Sequence, residues 1–327
     1  MTAHGSLGRV YLLILLTTLF WGGTPVAGKL VIQEIPPLTT GVLRYGLAAL
    51  LLAATFWRHL PSPRSLSSRD LWMLLWVGIL GTFLNHVLFF MALVFAPATH
   101  GAIIAPTTSP IWTMLLAARL GRERVTPGQI AGVILCLAGV VLVIRPERLA
   151  AGAGTTVLLG DLLFLLGGVA WGVYSYVSKV AMQRLSPAAT LTFGVSIGTV
   201  FLVPTALAEH PWSALRTAHV TAWGALGFLA VACTVLAFLW WNVAIRRMGA
   251  GRTAVFTNLV PVFGVLLSWL VLGERLTAGQ LVGGLLAVVG VLVCQGPEAR
   301  AALLRFARAA ASRTSPLSEK SDPTTRK

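Results

Sequence analysis

The sequence predicts an all-α polytopic membrane protein, with ten transmembrane helices arranged as two five-helix repeats of inverted topology. Three observations carry this. Of 327 residues, 56% are apolar and only 11% charged, where soluble domains average about a quarter charged. The apolar residues fall in ten runs, each near the roughly 20 residues that a bilayer-crossing helix needs. The second half also repeats glycine, proline and polar positions of the first at an offset of 150 to 151 residues.

A soluble globule of this length could not hide so many apolar side chains in one core, and the same composition excludes disorder. The net charge of +15 suggests nucleic acid at first sight. The basic residues, however, sit in short clusters between apolar runs and in the tail, not along one helix face with interleaved aromatics. No nucleic acid partner is expected. The expected partners are the lipid bilayer and a small-molecule substrate, with monomer and homodimer both open. Cys136, Cys233 and Cys294 each lie inside an apolar run and form no CxxC pair, so neither a disulfide framework nor a metal site is indicated.

Taken in order, the runs are 10–30, 38–57, 71–93, 99–119, 127–145, 157–181, 188–208, 219–245, 252–273 and 278–296. The first carries Trp21-Gly22-Gly23 and Pro25 where a cleavable signal's apolar region should end, and nine further runs follow. It therefore reads as a retained span. The second carries Arg44, the third Asn85-His86, the fourth Thr107 and Pro110. The sixth carries Asp161, Trp171 and Tyr174, and the ninth Asn258 and Pro261. The fifth and tenth open with Gly128-x3-Gly132 and Gly279-x3-Gly283, small-residue spacings suited to helix packing. Connections are short, so no extramembrane domain is expected. The tail, 297–327, is basic and then rich in Ser, Thr and Pro, and reads as disordered and cytoplasmic.

Orientation follows from the basic residues. With the N-terminus inside, the inner connections receive twelve Lys and Arg before the tail, and the outer ones only five: Lys29, Arg145, Arg148, Arg216 and Arg275. That bias places both termini in the cytoplasm of a bacterial-type inner membrane.

The repeat is specific. Trp21-Gly22, Lys29 and Pro37 match Trp171-Gly172, Lys179 and Pro187; Pro110 matches Pro261; Glu123-Arg124, Thr126 and Gly128-Gln129 match Glu274-Arg275, Thr277 and Gly279-Gln280; Gly132 and Gly139 match Gly283 and Gly290. Each copy, 10–145 and 157–296, holds five spans. An odd number makes the second copy enter the membrane from the opposite side, an architecture that secondary transporters use to present one site alternately to either face.

At these residues the chain resembles the EamA-type members of the drug/metabolite transporter superfamily. The Trp-Gly pairs of spans one and six, the prolines of spans four and nine, and the stretch Leu272-Gly273-Glu274-Arg275-Leu276-Thr277-Ala278-Gly279-Gln280-Leu281-Val282-Gly283 carry the resemblance, which covers roughly 10 to 296. It implies a ten-helix carrier, an exporter of amino acids or related small metabolites, with no enzymatic activity and no cofactor.

The expected substrate-binding residues are Trp21, Arg44, Asn85, His86, Thr107, Trp171, Tyr174 and Asn258. The two tryptophans are expected to bracket a midplane cavity from above and below. Trp57, Trp72, Trp76 and Trp212 belong to interfacial belts. Arg44 either snorkels to the outer surface or faces a carboxylate, as intramembrane charges usually do. The amides serve equally well as interhelical hydrogen-bond glue. His86 is read as the histidine well inside a span that can titrate near neutral pH. With Arg44, Lys29 and Lys179 as the charges able to reach a cavity, a zwitterionic, neutral or anionic solute is expected, moved by facilitated diffusion or exchange. No catalytic or metal site is expected. Gly249-Ala250-Gly251 lacks the third glycine of a dinucleotide loop, and Ser175 with Lys179 has no lid or domain to make a hydrolase. A lipid-acting membrane enzyme and a non-transporting scaffold are the rival readings.

Overall fold

The computed structural model describes residues 3–120, 125–144, 155–248 and 255–294. Among them there is no strand. Eight helices are long and apolar enough to cross a membrane, and two more apolar helices are shorter. In chain order they are α1 (Ala3–Ile32), α2 (Pro37–Phe56), α3 (Ser68–Phe95), α4 (Ala98–Leu120), α5 (Pro127–Ile144), α6 (Thr155–Ala181), α7 (Pro187–Ala208), α8 (Val220–Ala244), and the shorter α9 (Phe256–Leu272) and α10 (Ala278–Val293). The expected spans fall on these helices. The tail, Glu123 with its flanking arginines, Arg145, Arg148 and Gly249-Ala250-Gly251 lie outside the described residues.

Local chemistry sets the helix starts. Proline opens α2, α5 and α7, where its missing N–H costs nothing. A capping box starts α3: the Asp70 N–H donates to Ser67 Oγ (3.2 Å), and the Ser67 N–H donates to Asp70 Oδ2 (3.2 Å). Helix α9 stops at Gly273, whose φ of 69° suits a residue without Cβ. Two helices are interrupted. In α3 the stretch Ile79–Leu84 and in α8 the stretch Phe228–Leu236 widen into π turns, which break the regular hydrogen-bond ladder and concentrate at functional sites.

Close packing comes from glycine, as expected where lipid supplies no hydrophobic drive between helices. A Cβ on Gly290 would meet Gly132 O at 2.7 Å, and one on Gly283 would meet Gly139 O at 2.7 Å, so α5 and α10 touch backbone to backbone. Gly128 and Gly279, expected to share those faces, do not: no heavy atom lies within 4 Å of a Cβ on Gly279, and only Thr126 Oγ1, at 3.9 Å, approaches one on Gly128. The working spacing is therefore Gly-x6-Gly, two helical turns. Gly22 of α1 likewise admits Val260, Phe263 and Gly264 of α9, and Gly172 of α6 admits Ser109, Trp112 and Thr113 of α4.

Charged side chains tie one end of the bundle, the end that α1 reaches at Ile32. The Glu209 carboxylate accepts from the Leu38 and Thr39 N–H groups at the start of α2 (3.0 and 2.7 Å), and Glu274 accepts from Ala98 and Thr99 at the start of α4 (2.9 and 2.8 Å). Glu34 accepts from the N–H of His219 just before α8 (2.5 Å). Each carboxylate sits at a helix N-terminus, where exposed N–H groups and the helix dipole favour an anion. Lys29 complements them. Its Nζ donates to Leu93 O (2.5 Å) and Ala96 O (3.1 Å) at the C-terminus of α3, so the sequence-based expectation that Lys29 reaches a cavity is corrected. At the opposite end Arg184 Nε donates to Asp70 Oδ1 (2.6 Å).

Candidate functional site

The π segment of α8 is where the site converges. Its Cys233 carbonyl accepts from Trp21 Nε1 of α1 (3.1 Å). At the next residue Thr234 Oγ1 donates to Leu229 O (2.9 Å) and accepts from Arg44 Nε of α2 (3.1 Å). The widened turn supplies both contacts, since a regular helix would consume the Cys233 carbonyl internally.

Around this point aromatic rings form a continuous row across three helices. Trp241 lies 5.1 Å from Trp21, Trp21 5.4 Å from Phe238, Phe238 6.3 Å from Trp171, and Trp171 4.9 Å from Tyr174, centroid to centroid. Trp21 and Trp171 thus flank one shared ring, Phe238. The Phe238 contribution was missed in the sequence because an apolar ring in a span carries no distinguishing pattern. Tyr174 packs over Gly81 in the π segment of α3, where any Cβ would overlap its ring.

Arg44 does not snorkel. It is 7% exposed, with its guanidinium carbon 4.7 Å from the Tyr45 ring centroid and 5.9 Å from that of Phe90. Rings present their negative faces to such a cation. Among the described residues only Nε is hydrogen-bonded, and no carboxylate pairs with the group. A buried cation without a counter-ion is costly, and its remaining N–H groups form the flat fork that matches a carboxylate.

His86 adjoins this cluster. Its ring stacks on Phe90 at 4.1 Å and meets Tyr45 edge-on at 5.5 Å, in the space left by Gly41. Nε2 lies 2.9 Å from the Pro37 carbonyl; a carbonyl only accepts, so Nε2 carries the hydrogen and the ring is held at the first turn of α2. The other expected residues are more dispersed. Asn85 Nδ2 donates to Gly167 O of α6 (3.2 Å), joining two helices. Thr107 returns its hydroxyl to Ile103 O of its own helix (2.6 Å), and its carbonyl accepts from Cys136 of α5 (3.1 Å), away from the aromatic row. Asn258 is buried just before the regular part of α9. Ser175 donates to Trp171 O (2.7 Å) while Lys179 is exposed, which leaves no serine–lysine pair.

His100 and Asp161 form a second polar cluster that the sequence reading did not assemble, although Asp161 stood out as an acid within a span. His100 Nδ1 lies 2.7 Å from Asp161 Oδ1, both side chains buried.

The EamA-like transporter family matches residues 8–145 and again 158–294. The chain belongs to this family. An uncharacterized transporter of Bacillus subtilis, YyaM, is 29% identical over 88% of this chain and 94% of its own length. A probable amino-acid metabolite efflux pump of Salmonella typhimurium is 27% identical over 86% of this chain and 93% of its own. A probable terminal-alkyne amino-acid exporter of Streptantibioticus cattleyicolor is also 27% identical, over 80% and 88%. One solved crystal structure shares the fold, with a TM-score of 0.58 at 21% identity, covering 88% of this chain and 97% of that one. The EamA chain is thus a multi-pass membrane transporter, and its family and relatives are named for transport, not for catalysis.

Proposed function

We propose that this EamA chain is a secondary exporter of amino acids or closely related zwitterionic or anionic metabolites, working by alternating access around Arg44 and the aromatic row. The observation that carries the reading is Arg44: a buried guanidinium held by one hydrogen bond to Thr234, with no carboxylate of the described residues opposite. The solute carboxylate takes its free N–H groups. Trp21, Phe238, Trp171 and Tyr174 grip the apolar part of the solute and attract its ammonium through their ring faces. Two relatives named for amino-acid export support the substrate class.

The same proposal has ten spans in two inverted repeats, 10–145 and 157–296, with both termini in the cytoplasm and the tail, 297–327, beside them. The paired glycine contacts support it. Gly132 meets Gly290 while its repeat partner Gly283 meets Gly139, the reciprocal pattern of a two-fold axis. The π segments at Ile79–Leu84 and Phe228–Leu236 also fall at matching repeat positions. The two separate family matches agree with this division. The end closed by Glu34, Glu209 and Glu274 is then the outer one.

The test is counterflow in proteoliposomes of the full chain, preloaded with a panel of unlabelled amino acids against one labelled neutral amino acid. Exchange by free amino acids and not by their amides supports the reading. Exchange indifferent to the carboxylate, or no flux of any solute, removes it.

A further inference from the structure

The buried pair His100–Asp161 lies at the closed outer end, on α4 and α6, and the transport site just described does not use it. Its protonation state follows from its neighbours. Gln280, near the start of α10, accepts at Oε1 from the Thr277 backbone N–H (3.0 Å) and lies within reach of the Thr277 hydroxyl (3.2 Å). A backbone N–H only donates, so the amide orientation is fixed. The amide nitrogen therefore faces His100 Nε2 (2.8 Å) and the Val143 carbonyl (3.4 Å). With a donor aimed at it, Nε2 must hold a lone pair. The imidazole hydrogen is then on Nδ1 and is donated to Asp161 Oδ1 at 2.7 Å. His100 thus donates at Nδ1 and accepts at Nε2.

What remains is a carboxylate with a relative exposure of 0% whose second oxygen, Oδ2, has no hydrogen-bond partner among the described residues. Among the described residues nothing nearby neutralises it. From the packed helices, Lys29 of α1 is spent on the end of α3, and Glu274 of the α9–α10 turn on the start of α4. His86 of α3 is turned to Pro37, and Arg275 is exposed beside Glu274. The described residues of α5, α9 and α10 carry no charged side chain. The remaining charges of α3, α4 and α6 (Arg69, Asp70, Arg119 and Lys179) sit toward the opposite end. Gly160 lets the backbone of α6 press on Ala92 and Ala96 of α3, and the carboxylate is fully buried.

We propose that Asp161 Oδ2 is a proton-binding site through which external pH controls closure of the outer end. The inference rests on the alternating-access reading. Closing around the ionised carboxylate strips its water and offers Oδ2 nothing in return; closing around the acid buries a neutral group. One proton is taken from outside water onto Oδ2 on closing and returns there on opening. Acid outside therefore favours the outer-closed state. Because the group lies only at that end, the proton regulates the cycle and is not carried across. The repeat-related positions, Tyr11 and Gly251, provide no matching pair.

The experiment uses the full chain in intact cells, with Cys136, Cys233 and Cys294 replaced by serine and Thr99→Cys as reporter. Thr99 is buried (2% exposed) beside His100 and its hydroxyl enters none of these bonds. A membrane-impermeant maleimide is applied at external pH 5 to 8, and labelling is normalised at each pH to the same thiol in denatured protein. Normalised labelling should rise with pH, at most tenfold per unit, the limit for one proton. Asp161→Asn should stay low at every pH, while His219→Gln, which removes the exposed pair with Glu34, should keep the full response. If Asp161→Asn does not insert, His100→Asn serves: the carboxylate loses its only N–H donor, so the transition should move to higher pH. A flat profile in the parent, an unchanged response in Asp161→Asn, or an unmoved transition in His100→Asn overturns the proton site alone. Absence of labelling at every pH overturns it together with the opening on which it rests.

Discussion

Replacing Arg44 by glutamine tests the carboxylate subsite most directly. In the structure Nε is committed to Thr234 Oγ1 at 3.1 Å, and the terminal N–H groups remain for solute. A hydrogen bond to a charged group is worth about 1.5–3 kcal/mol. Losing one such bond weakens binding roughly 10- to 150-fold, since each 1.4 kcal/mol is a factor of ten. Glutamine keeps a polar group at the level of Nε, two bonds short of the terminal nitrogens, and removing a buried, uncompensated cation should not impair insertion. The assay is the concentration dependence of counterflow for one amino acid and for its amide. The parent should prefer the acid by about that factor; in Arg44→Gln the acid should weaken to the level of the amide, while the amide barely changes. Arg44→Lys should recover only part, because an ammonium lacks the planar fork. If acid and amide weaken equally, Arg44 is structural and the argument fails.

Trp21→Ala and Trp171→Ala should each cut flux severely at normal membrane levels, and Phe238→Ala, which removes the ring they share, should do the same; retention of parental rates in all three assigns the row to packing. Gly283→Val should lower thermal stability by about 1–3 kcal/mol through overpacking against α5, whereas Gly279→Val, facing open space, should leave the melting temperature in detergent unchanged. Thiol labelling from outside should reach cysteines placed at Glu34 and Arg148 and miss those at Arg64, Arg122 and Lys327; external-only silence at Arg148 would break the inverted-repeat proposal. The His219 N–H and ring hold the Glu34 carboxyl below the usual carboxylate range. A depressed value means the tie is complete above the ordinary carboxylate value of about 4.3 and lost as pH falls through the native one, so the acid side of the stability profile should flatten in Glu34→Gln; an identical profile would contradict the tie.

The helices were legible because a bilayer imposes a composition and a length that few other environments require. The capping acids were partly legible: Glu274 stood out through its repeat partner Glu123, yet its role emerges only when the turn after α9 lies over the start of α4. The glycine faces were half legible: Gly132 and Gly283 make the contact, and Gly128 and Gly279 do not. Gly128-x3-Gly132 and Gly279-x3-Gly283 fit the familiar spacing, but the contact is made by Gly132, Gly139, Gly283 and Gly290, because the two helices cross near their middles and not at their starts. Phe238 was invisible as a site residue for a different reason. Its importance lies in lying between Trp21 and Trp171, and a pairing across three helices has no signature in any one of them.

The polar residues show why repeat symmetry alone cannot locate function in such a chain. Several matched features are packing devices: Gly22 and Gly172, and the glycine seam of α5 and α10. Trp21 and Trp171 match each other, but the charged and polar groups lie where the halves differ. Arg44 has Gly194 as its repeat partner, Thr234 has Leu84, Asp161 has Tyr11 and His100 has Gly251. A scaffold that alternates between two faces gains from nearly equal helices, since neither state is then strongly preferred. A solute that must be bound once needs a single guanidinium, and a second one at the matching position would bury another uncompensated charge. On the proposed reading the equal framework serves the motion, and the unequal side chains select the solute and bias the direction in which the outer end rests.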